Sequence, residues 1–176
     1  MSISQAVRRK VRVRANYACE YCGVSEENVG GELTIDHFKP QSQNGSDDLT
    51  NLVYCCPRCN LYKGDFWTDE PDAVQLWNPR TQDFNDHFWL SDNGALYALS
   101  ETGALTIDVL RLNRLPLVRH RQRLYRQSET RRLLEQAEKA MQLLAQLTEQ
   151  QRTLLAEQQK LLAEQQRLLK LLLDNN

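Results

Sequence analysis

The chain has 176 residues, of which 41% are hydrophobic and 26% are charged, and its formal net charge is −1. This balance does not fit a nucleic-acid binder of the strongly cationic kind. No apolar run is long enough to cross a bilayer and no signal peptide is visible, so we expect no membrane association and a cytoplasmic location. The five cysteines are then expected to be reduced thiols that bind a metal, with disulfide bonds as the alternative.

A helix over residues 4–15 is predicted at the start of the chain. Apolar residues recur there at intervals of four, and Ser4 is a suitable N-cap. Basic residues occupy the other faces, and Arg8, Arg9 and Arg12 are candidates for contacts with a phosphate backbone. The alternative is that these arginines form a solvated helix face.

Two Cys-x-x-Cys pairs follow this helix, Cys19 with Cys22 and Cys56 with Cys59. Four thiolates at this paired spacing suit a tetrahedral zinc ion. A compact part as small as this one benefits from such a structural metal. Cys55 is the fifth cysteine, and we expect it to be buried and to face away from the metal.

Between and after these pairs the sequence predicts two strands and a helix. The first strand covers residues 33–37 and the second begins at residue 51 and ends at residue 54. The polar residues 41–50 form the loop between the strands. Pro57 suits the first turn of the helix that follows.

Three side chains in this segment have the chemistry of metal-assisted phosphodiester hydrolysis. The imidazole of His37 suits a general base that takes a proton from water. Asp36 and Asn60 offer oxygen ligands for Mg²⁺ or Mn²⁺. Because neighbouring residues of a strand point to opposite faces, the strand must end or bend for Asp36 and His37 to serve one site. Lys63 is either a phosphate contact or a surface lysine.

The order of these residues resembles the motif of an HNH endonuclease, in the zinc-stapled branch of that family, where asparagine often replaces the final histidine. The motif reads Cys19-x2-Cys22, Asp36-His37, Asn51, Cys56-x2-Cys59-Asn60 and Lys63-Gly64. The resemblance covers residues 17–65 closely. It implies a ββα-metal core, also called a His-Me finger, and a DNA substrate, with RNA not excluded.

The resemblance also implies the roles of the individual residues. His37 is the general base, and Asp36 and Asn60 hold the catalytic Mg²⁺ or Mn²⁺. Asn51 matches the central asparagine of the family, which orients the loop that bears the base. The four paired cysteines hold the structural zinc.

Residues 67–127 are predicted to be a small extension of the core. Residues 87–91 and 95–100 flank an Asp-Asn-Gly turn sequence and predict a β-hairpin. A helix over residues 105–127 follows, which Pro116 kinks or splits. This stretch also resembles, more weakly, an extension that follows such nuclease cores in some bacterial members. Its two histidines lie outside the motif, and we expect His87 to be structural and His120 to lie at the surface.

Residues 128–176 are rich in Leu, Gln and Glu and contain no Gly or Pro, which predicts one long helix over residues 128–174. One heptad position carries the apolar residues Leu133, Ala140, Leu147, Leu154, Leu161 and Leu168. The neighbouring seam position carries Gln151, Gln158 and Gln165, where a strict coiled coil has apolar side chains. We expect a homo-oligomer formed through this helix. The alternative is a single exposed helix, which leaves many leucines in water.

The sequence therefore predicts an α+β fold: a ββα-metal core over residues 1–66, the hairpin and helix extension over residues 67–127, and the coiled-coil-like helix over residues 128–176. The predicted function is metal-dependent hydrolysis of phosphodiester bonds in DNA. The alternative is a non-catalytic zinc module that binds nucleic acid or protein and assembles through the C-terminal helix. The enzyme is favoured because a binding module has no need for Asp36, His37 and Asn60 together.

Overall fold

The computed structural model of the chain describes residues 3–70 and 72–174. The α+β prediction is confirmed. The helices are α1 (Gln5–Arg14), α2 (Glu26–Val29), α3 (Pro57–Lys63), α4 (Glu101–Val109) and α5 (Leu115–Asp174). The strands are β1 (Thr34–His37), β2 (Leu52–Cys55), β3 (Phe88–Leu90) and β4 (Leu96–Ala98). None of the helices described is both long and apolar enough to cross a membrane.

Two compact units make up the chain, Met1–Tyr125 and Arg126–Asn176. The first contains all four strands, and the second continues α5. The three-part domain organisation drawn from the sequence stays a prediction.

Helix α1 is capped as the sequence predicts. The Oγ atom of Ser4 accepts a hydrogen bond from the Val7 amide at 3.3 Å, which satisfies one of the free donors at the helix start. Val11 on the inner face is fully buried. Two arginines in the last turn complement the negative end of the helix dipole.

The two predicted strands and the helix after them form the ββα core. Strands β1 and β2 pair antiparallel, with Asp36 opposite Val53 and His37 opposite Leu52. All four residues of β2 are buried. Helix α3 starts with Pro57 in its first turn, where a missing N–H costs nothing, and Cys56 serves as its N-cap. The pairing places Thr34 opposite Cys55, next to the start of α3, and Lys63 at the end of α3 reaches the end of β1.

The extension packs an aromatic cluster into the same unit. The rings of Phe84 and Phe88 lie edge-on to Trp77, with centroids 5.7 and 5.3 Å away. The ring of Tyr21, from the first cysteine pair, lies edge-on to Trp77 at 6.5 Å. This cluster joins the predicted core and the predicted extension through apolar burial.

The predicted hairpin is confirmed by β3 and β4, which pair antiparallel. The Leu96 amide donates to Oδ1 of Asn113 at 2.8 Å, and Nδ2 of Asn113 donates to the Leu96 carbonyl at 2.7 Å. The Asn113 side chain thus pairs with the free backbone groups at the edge of β4.

The helix predicted over residues 105–127 is split, which is one of the two outcomes expected from Pro116. The chain forms α4 and α5, with the break at residues 110–114, where Arg111 has a left-handed φ of 49°. Pro116 lies in the first turn of α5 rather than in a kinked helix interior. The break exists because Leu110 and Leu112 both turn into the core, which a continuous helix does not allow at this spacing.

The long C-terminal helix is confirmed over the residues described, as the continuation of α5 to Asp174. No residue from 130 to 171 is buried. The exposed leucines of this segment include Leu133, Leu147, Leu154, Leu161 and Leu168.

Candidate active site and metal centre

Four cysteine sulfurs form one buried cluster. The Sγ atoms of Cys19, Cys22, Cys56 and Cys59 all lie within 4.8 Å of one another. A tetrahedral zinc ion with Zn–S bonds of about 2.3 Å requires sulfurs about 3.8 Å apart. The sulfurs of Cys22 and Cys56 are 3.7 Å apart. Donor type, number and spacing therefore fit a structural zinc ion.

Each cysteine pair is held by a different local backbone conformation. The first pair lies in a tight turn, in which the Cys19 amide donates to the Val24 carbonyl and the Gly23 amide donates to the Cys19 carbonyl. Gly23 has a φ of 75°, which a residue with a side chain rarely adopts. The second pair occupies the start of α3, where the Cys59 amide donates to Sγ of Cys56 at 3.4 Å. Amide donors of this kind stabilise thiolates.

Hydrogen bonding within the cluster favours an ionised thiol. Bonds from Cys22 and the other neighbouring thiols lower the pKa of Cys19 well below its usual range, although burial opposes the effect. Metal ligation requires this thiolate form.

Cys55 is not one of the four clustered cysteines, but it does not lie far from them. Its hydrogen bond with Cys19, together with burial, raises the pKa of the Cys55 thiol. The thiol also donates to the Cys56 carbonyl at 3.5 Å. Cys55 is fully buried, as expected, but it lies beside Cys19 of the cluster rather than away from it.

One cation from the extension reaches this cluster. The Nη2 atom of Arg114 lies 3.8 Å from Sγ of Cys59. Burial alone lowers the pKa of Arg114, but the Cys59 sulfur raises it above the usual value. The guanidinium also lies over the Tyr62 ring, 5.5 Å from its centroid. Sequence reasoning assigned Arg114 no role, because no periodicity marks it.

The carboxylate of Asp36 is held by a buried lysine. The Nζ atom of Lys63 lies 3.1 Å from Oδ2 of Asp36 and donates to the His37 carbonyl at 2.8 Å. Burial raises the pKa of Asp36, and Lys63 opposes that shift. Of the two alternatives left open for Lys63, the surface lysine is wrong, because Lys63 is 3% exposed. Its role as a phosphate contact stays a prediction.

The imidazole of His37 lies at the end of β1 and pairs with a loop carboxylate. Its Nε2 atom is 2.7 Å from Oδ1 of Asp47, and its side chain is 14% exposed. The bond to His37 lowers the pKa of Asp47. β1 ends at His37, and the placement of Asp36 and His37 at one site stays a prediction. Sequence reasoning missed Asp47, which lies in a polar loop without any periodic signal.

Asn51 connects the two ends of that loop. Its Oδ1 accepts from the Lys39 amide at 2.8 Å, and its Nδ2 donates to the carbonyls of Lys39 and Ser46 at 3.1 and 2.8 Å. These contacts match the orienting role that the family resemblance implies.

Asn60 lies on α3, three residues before Lys63 and on the same helix face. Its side chain is half-buried and makes no hydrogen bond to any residue within the described ranges. The amide oxygen is therefore free to bind a cation. Lys63 shows that this face of α3 lies against Asp36 and His37.

The three arginines predicted to bind nucleic acid have different surroundings. Arg12 is bound by two carboxylates, those of Glu26 at 2.6 Å and Glu32 at 2.5 Å, which neutralise its charge. Arg8 and Arg9 are exposed, and neither forms an ion pair with a residue that the structure describes. The nucleic-acid contacts of all three stay predictions.

The two remaining histidines differ from each other. The Nδ1 atom of His87 lies 2.6 Å from Oγ of Ser100, the N-cap of α4. This histidine therefore packs within the extension. The surface prediction for His120 is wrong, because this residue is 6% exposed on the inner side of α5. Burial lowers the pKa of His120, and neighbouring arginines add to the effect.

Comparison with known protein families agrees with this geometry. A family model described as HNH endonuclease matches residues 19–66. This segment contains the four clustered cysteines, β1, β2 and α3. A search of curated proteins finds no match. The chain therefore contains a domain of the HNH endonuclease family at residues 19–66, in a variant whose four clustered cysteines fit a zinc ion.

Proposed function

We propose that the protein is an endonuclease that hydrolyses phosphodiester bonds in DNA with the help of a divalent cation. The observation that carries this proposal is the family match at residues 19–66, which includes Asp36 and His37 at the end of β1. A family suggests an activity through its site residues rather than through its fold. Here Asp36, His37 and Asn60 are all present, and Lys63 at the end of α3 contacts the Asp36 carboxylate and the His37 carbonyl.

His37 is the general base in this proposal. Its imidazole takes a proton from water, whose oxygen attacks the phosphorus. Asp36 and Asn60 offer a carboxylate and an amide oxygen to Mg²⁺ or Mn²⁺. Such a cation, when bound, supplies charge stabilisation at the phosphate and leaving oxygens. Lys63 holds the Asp36 carboxylate in place through Oδ2, 3.1 Å from its Nζ atom.

The proposed structural zinc has a separate role. It binds the four clustered cysteines and joins the turn after α1 to the start of α3. Since all five cysteines are free thiols, we propose a reducing compartment such as the cytoplasm. Removal of zinc by a chelator should unfold the core.

The second compact unit is proposed to assemble chains. Its helix exposes leucines at heptad intervals, and a second copy of the same helix is the partner that such a pattern fits. The glutamines at the neighbouring seam position make this association weaker than that of an all-leucine seam.

The test of the enzymatic proposal is His37→Ala. Supercoiled plasmid is incubated with purified protein and Mg²⁺ or Mn²⁺, and nicked and linear products are quantified. We expect a loss of activity on the order of 10²–10⁴-fold, the contribution of a general base, with unchanged zinc content by elemental analysis. The control is His87→Gln, which keeps a hydrogen-bonding partner for Ser100 and lies outside the site. Full cleavage by His37→Ala would leave the non-catalytic zinc module as the better description.

A further inference from the structure

We propose that Asp47 is a positioning residue for His37, and that it assigns the proton-accepting role to the Nδ1 atom of the imidazole. This inference rests on the proposed function, in which His37 is the general base. The pair is defined by the 2.7 Å contact between Nε2 of His37 and Oδ1 of Asp47.

The chemistry of the two groups fixes the direction of this hydrogen bond. An ionised carboxylate can only accept, so Nε2 of His37 is the donor. Oδ1 of Asp47 also accepts from Nε2 of Gln41 at 3.1 Å, which leaves this oxygen with two donors. A neutral imidazole with a hydrogen on Nε2 has its free electron pair on Nδ1. Nδ1 is therefore the atom that can take a proton from water.

Asp47 is held in place by the architecture of its loop. Asn51 binds the carbonyl of Ser46, directly before Asp47, and both backbone groups of Lys39, two residues after the end of β1. The Asn51 amide donates to the Asp48 carbonyl at 2.8 Å. The residues on both sides of Asp47 are thus tied to the side chain or backbone of Asn51, and a loop carboxylate becomes a fixed partner of the base.

Gly45 shows how closely the loop approaches the end of β1. A Cβ atom at this position would lie 1.8 Å from the Lys39 carbonyl oxygen, far inside van der Waals contact. The preceding residue, Asn44, has a left-handed φ of 62°, which reverses the chain here. This packing fixes the chain path two residues before Asp47.

The pair also suits the charge that develops in the reaction. As the oxygen of water forms its bond to phosphorus, one O–H bond of the water breaks and the proton moves to Nδ1 of His37. The bond from phosphorus to the leaving oxygen breaks, and that oxygen keeps the electron pair and is protonated by solvent. His37 becomes an imidazolium, and the Asp47 carboxylate stabilises it through a charge-assisted hydrogen bond.

The experiment compares Asp47→Ala and Asp47→Asn with Asp48→Asn as the matched control. Asp48 is the neighbouring carboxylate of the same loop, and it accepts from Ser46 rather than from His37. We expect both Asp47 variants to lower kcat for plasmid cleavage about 10²-fold, the lower end of a general base contribution, with little change in KM. Asp48→Asn should keep kcat within about twofold, since surface changes of this kind have small effects.

The second readout is the tautomer of His37, measured by nitrogen NMR on protein labelled with ¹⁵N-histidine. The His37 signals are assigned by their loss in His37→Ala. We expect the hydrogen on Nε2 in the wild-type protein and a mixture of tautomers in Asp47→Ala. A hydrogen on Nδ1 in the wild-type protein, or full kcat in Asp47→Ala, overturns the proposal. If Asp47→Ala is fully active while His37→Ala is inactive, only the role of Asp47 fails; if His37→Ala is fully active, the proposed function itself fails.

Discussion

Lys63 is a single side chain that connects α3 to the end of β1. It binds the Asp36 carboxylate and the His37 carbonyl at the same time, and its side chain is 1% exposed. A buried ion pair contributes little net stability, yet the loss of one partner leaves an uncompensated charge. The residue therefore matters more for the placement of Asp36 than for overall stability.

This view predicts the effect of Lys63→Met. The free energy of unfolding should fall by about 3 kcal/mol at pH 8, because Asp36 keeps its charge without a partner. Loss of Lys63 removes the influence that lowers the pKa of Asp36, so burial raises that pKa further. A folded-state pKa above the unfolded value favours folding at low pH, so the deficit should shrink as pH falls toward about 4.

Urea unfolding of zinc-loaded protein at several pH values measures this deficit. The control is Arg58→Met, which removes an exposed cation from the same helix and should change stability by less than about 0.5 kcal/mol. An equal loss in both variants, or a deficit that grows at low pH, contradicts the prediction.

Residue-level features divide into those that local pattern reveals and those that it does not. The paired cysteines follow from their spacing, whereas Asp36-His37 and Asn60 are singled out by their order in a motif that resembles the HNH family. The contacts of Asp47 and Arg114 come from residues 10 and 55 positions from their partners in the chain. No periodicity links residues so far apart, so these partners require the folded structure.

At the scale of elements, α1 presents fewer free charges than its sequence indicates. Arg12 is bound by Glu26 and Glu32, and Arg14 donates to the Leu49 and Leu52 carbonyls. Both arginines are therefore held by contacts within the folded chain.

We accordingly predict different outcomes for two variants of α1. Arg9→Ala should weaken DNA binding and reduce the slope of log affinity against log salt by about 0.9, the effect of one lost phosphate contact. Arg12→Ala should reduce thermal stability instead, because Glu26 and Glu32 lose their shared partner. Fluorescence anisotropy at several salt concentrations measures the first effect, and thermal melting measures the second. Identical salt slopes for Arg9→Ala and the wild-type protein contradict the first prediction.

A second prediction at this scale concerns Arg114, in the segment between α4 and α5. Four thiolates around Zn²⁺ carry a net charge of −2, which the guanidinium of Arg114 partly offsets. Arg114→Met should therefore lose zinc faster to a chromogenic chelator, about 10-fold or more by analogy with other outer-shell partners. Arg111→Met is the control, because Arg111 contacts the same Tyr62 ring but no cysteine. Equal rates in the two variants contradict the role assigned to Arg114.

The elements themselves were predicted with uneven success. Helix α1, the ββα core and the β3–β4 hairpin carry their signals within a few residues, as caps, proline positions and turn sequences. The break at residues 110–114 is signalled only by Pro116, and its position depends on the burial of Leu110 and Leu112 in the core. Tertiary packing outweighs helix propensity there.

At the scale of the whole molecule, the second unit can be removed without loss of any proposed ligand. A chain without residues 128–176 keeps all four clustered cysteines, Asp36 and Asn60. We predict that it retains zinc and nuclease activity and sediments as a monomer, whereas the full chain sediments as an oligomer. Sedimentation velocity at tens of micromolar distinguishes these states, and a monomeric full chain rules out assembly through the helix.

A matched pair of substitutions gives the same test in the full chain. Leu161→Glu places a charge on the leucine face, and Lys160→Glu changes the neighbouring residue, which is already charged. Only the first should abolish association. If both variants associate like the wild-type chain, the leucine face is not the contact surface.

The packing of Tyr21 and Glu20 has a consequence for gene recombination. These residues lie inside the first cysteine pair, yet Tyr21 packs on Trp77, and Glu20 binds Arg80 at 2.6 Å. Both partners lie outside the segment that matches the family model. A transfer of residues 19–66 alone into another protein would thus carry every proposed ligand and the proposed base, but it would expose the Tyr21 ring and remove the Arg80 partner of Glu20. A segment that is transferred to another protein with these contacts intact must therefore extend beyond the family motif and include the extension.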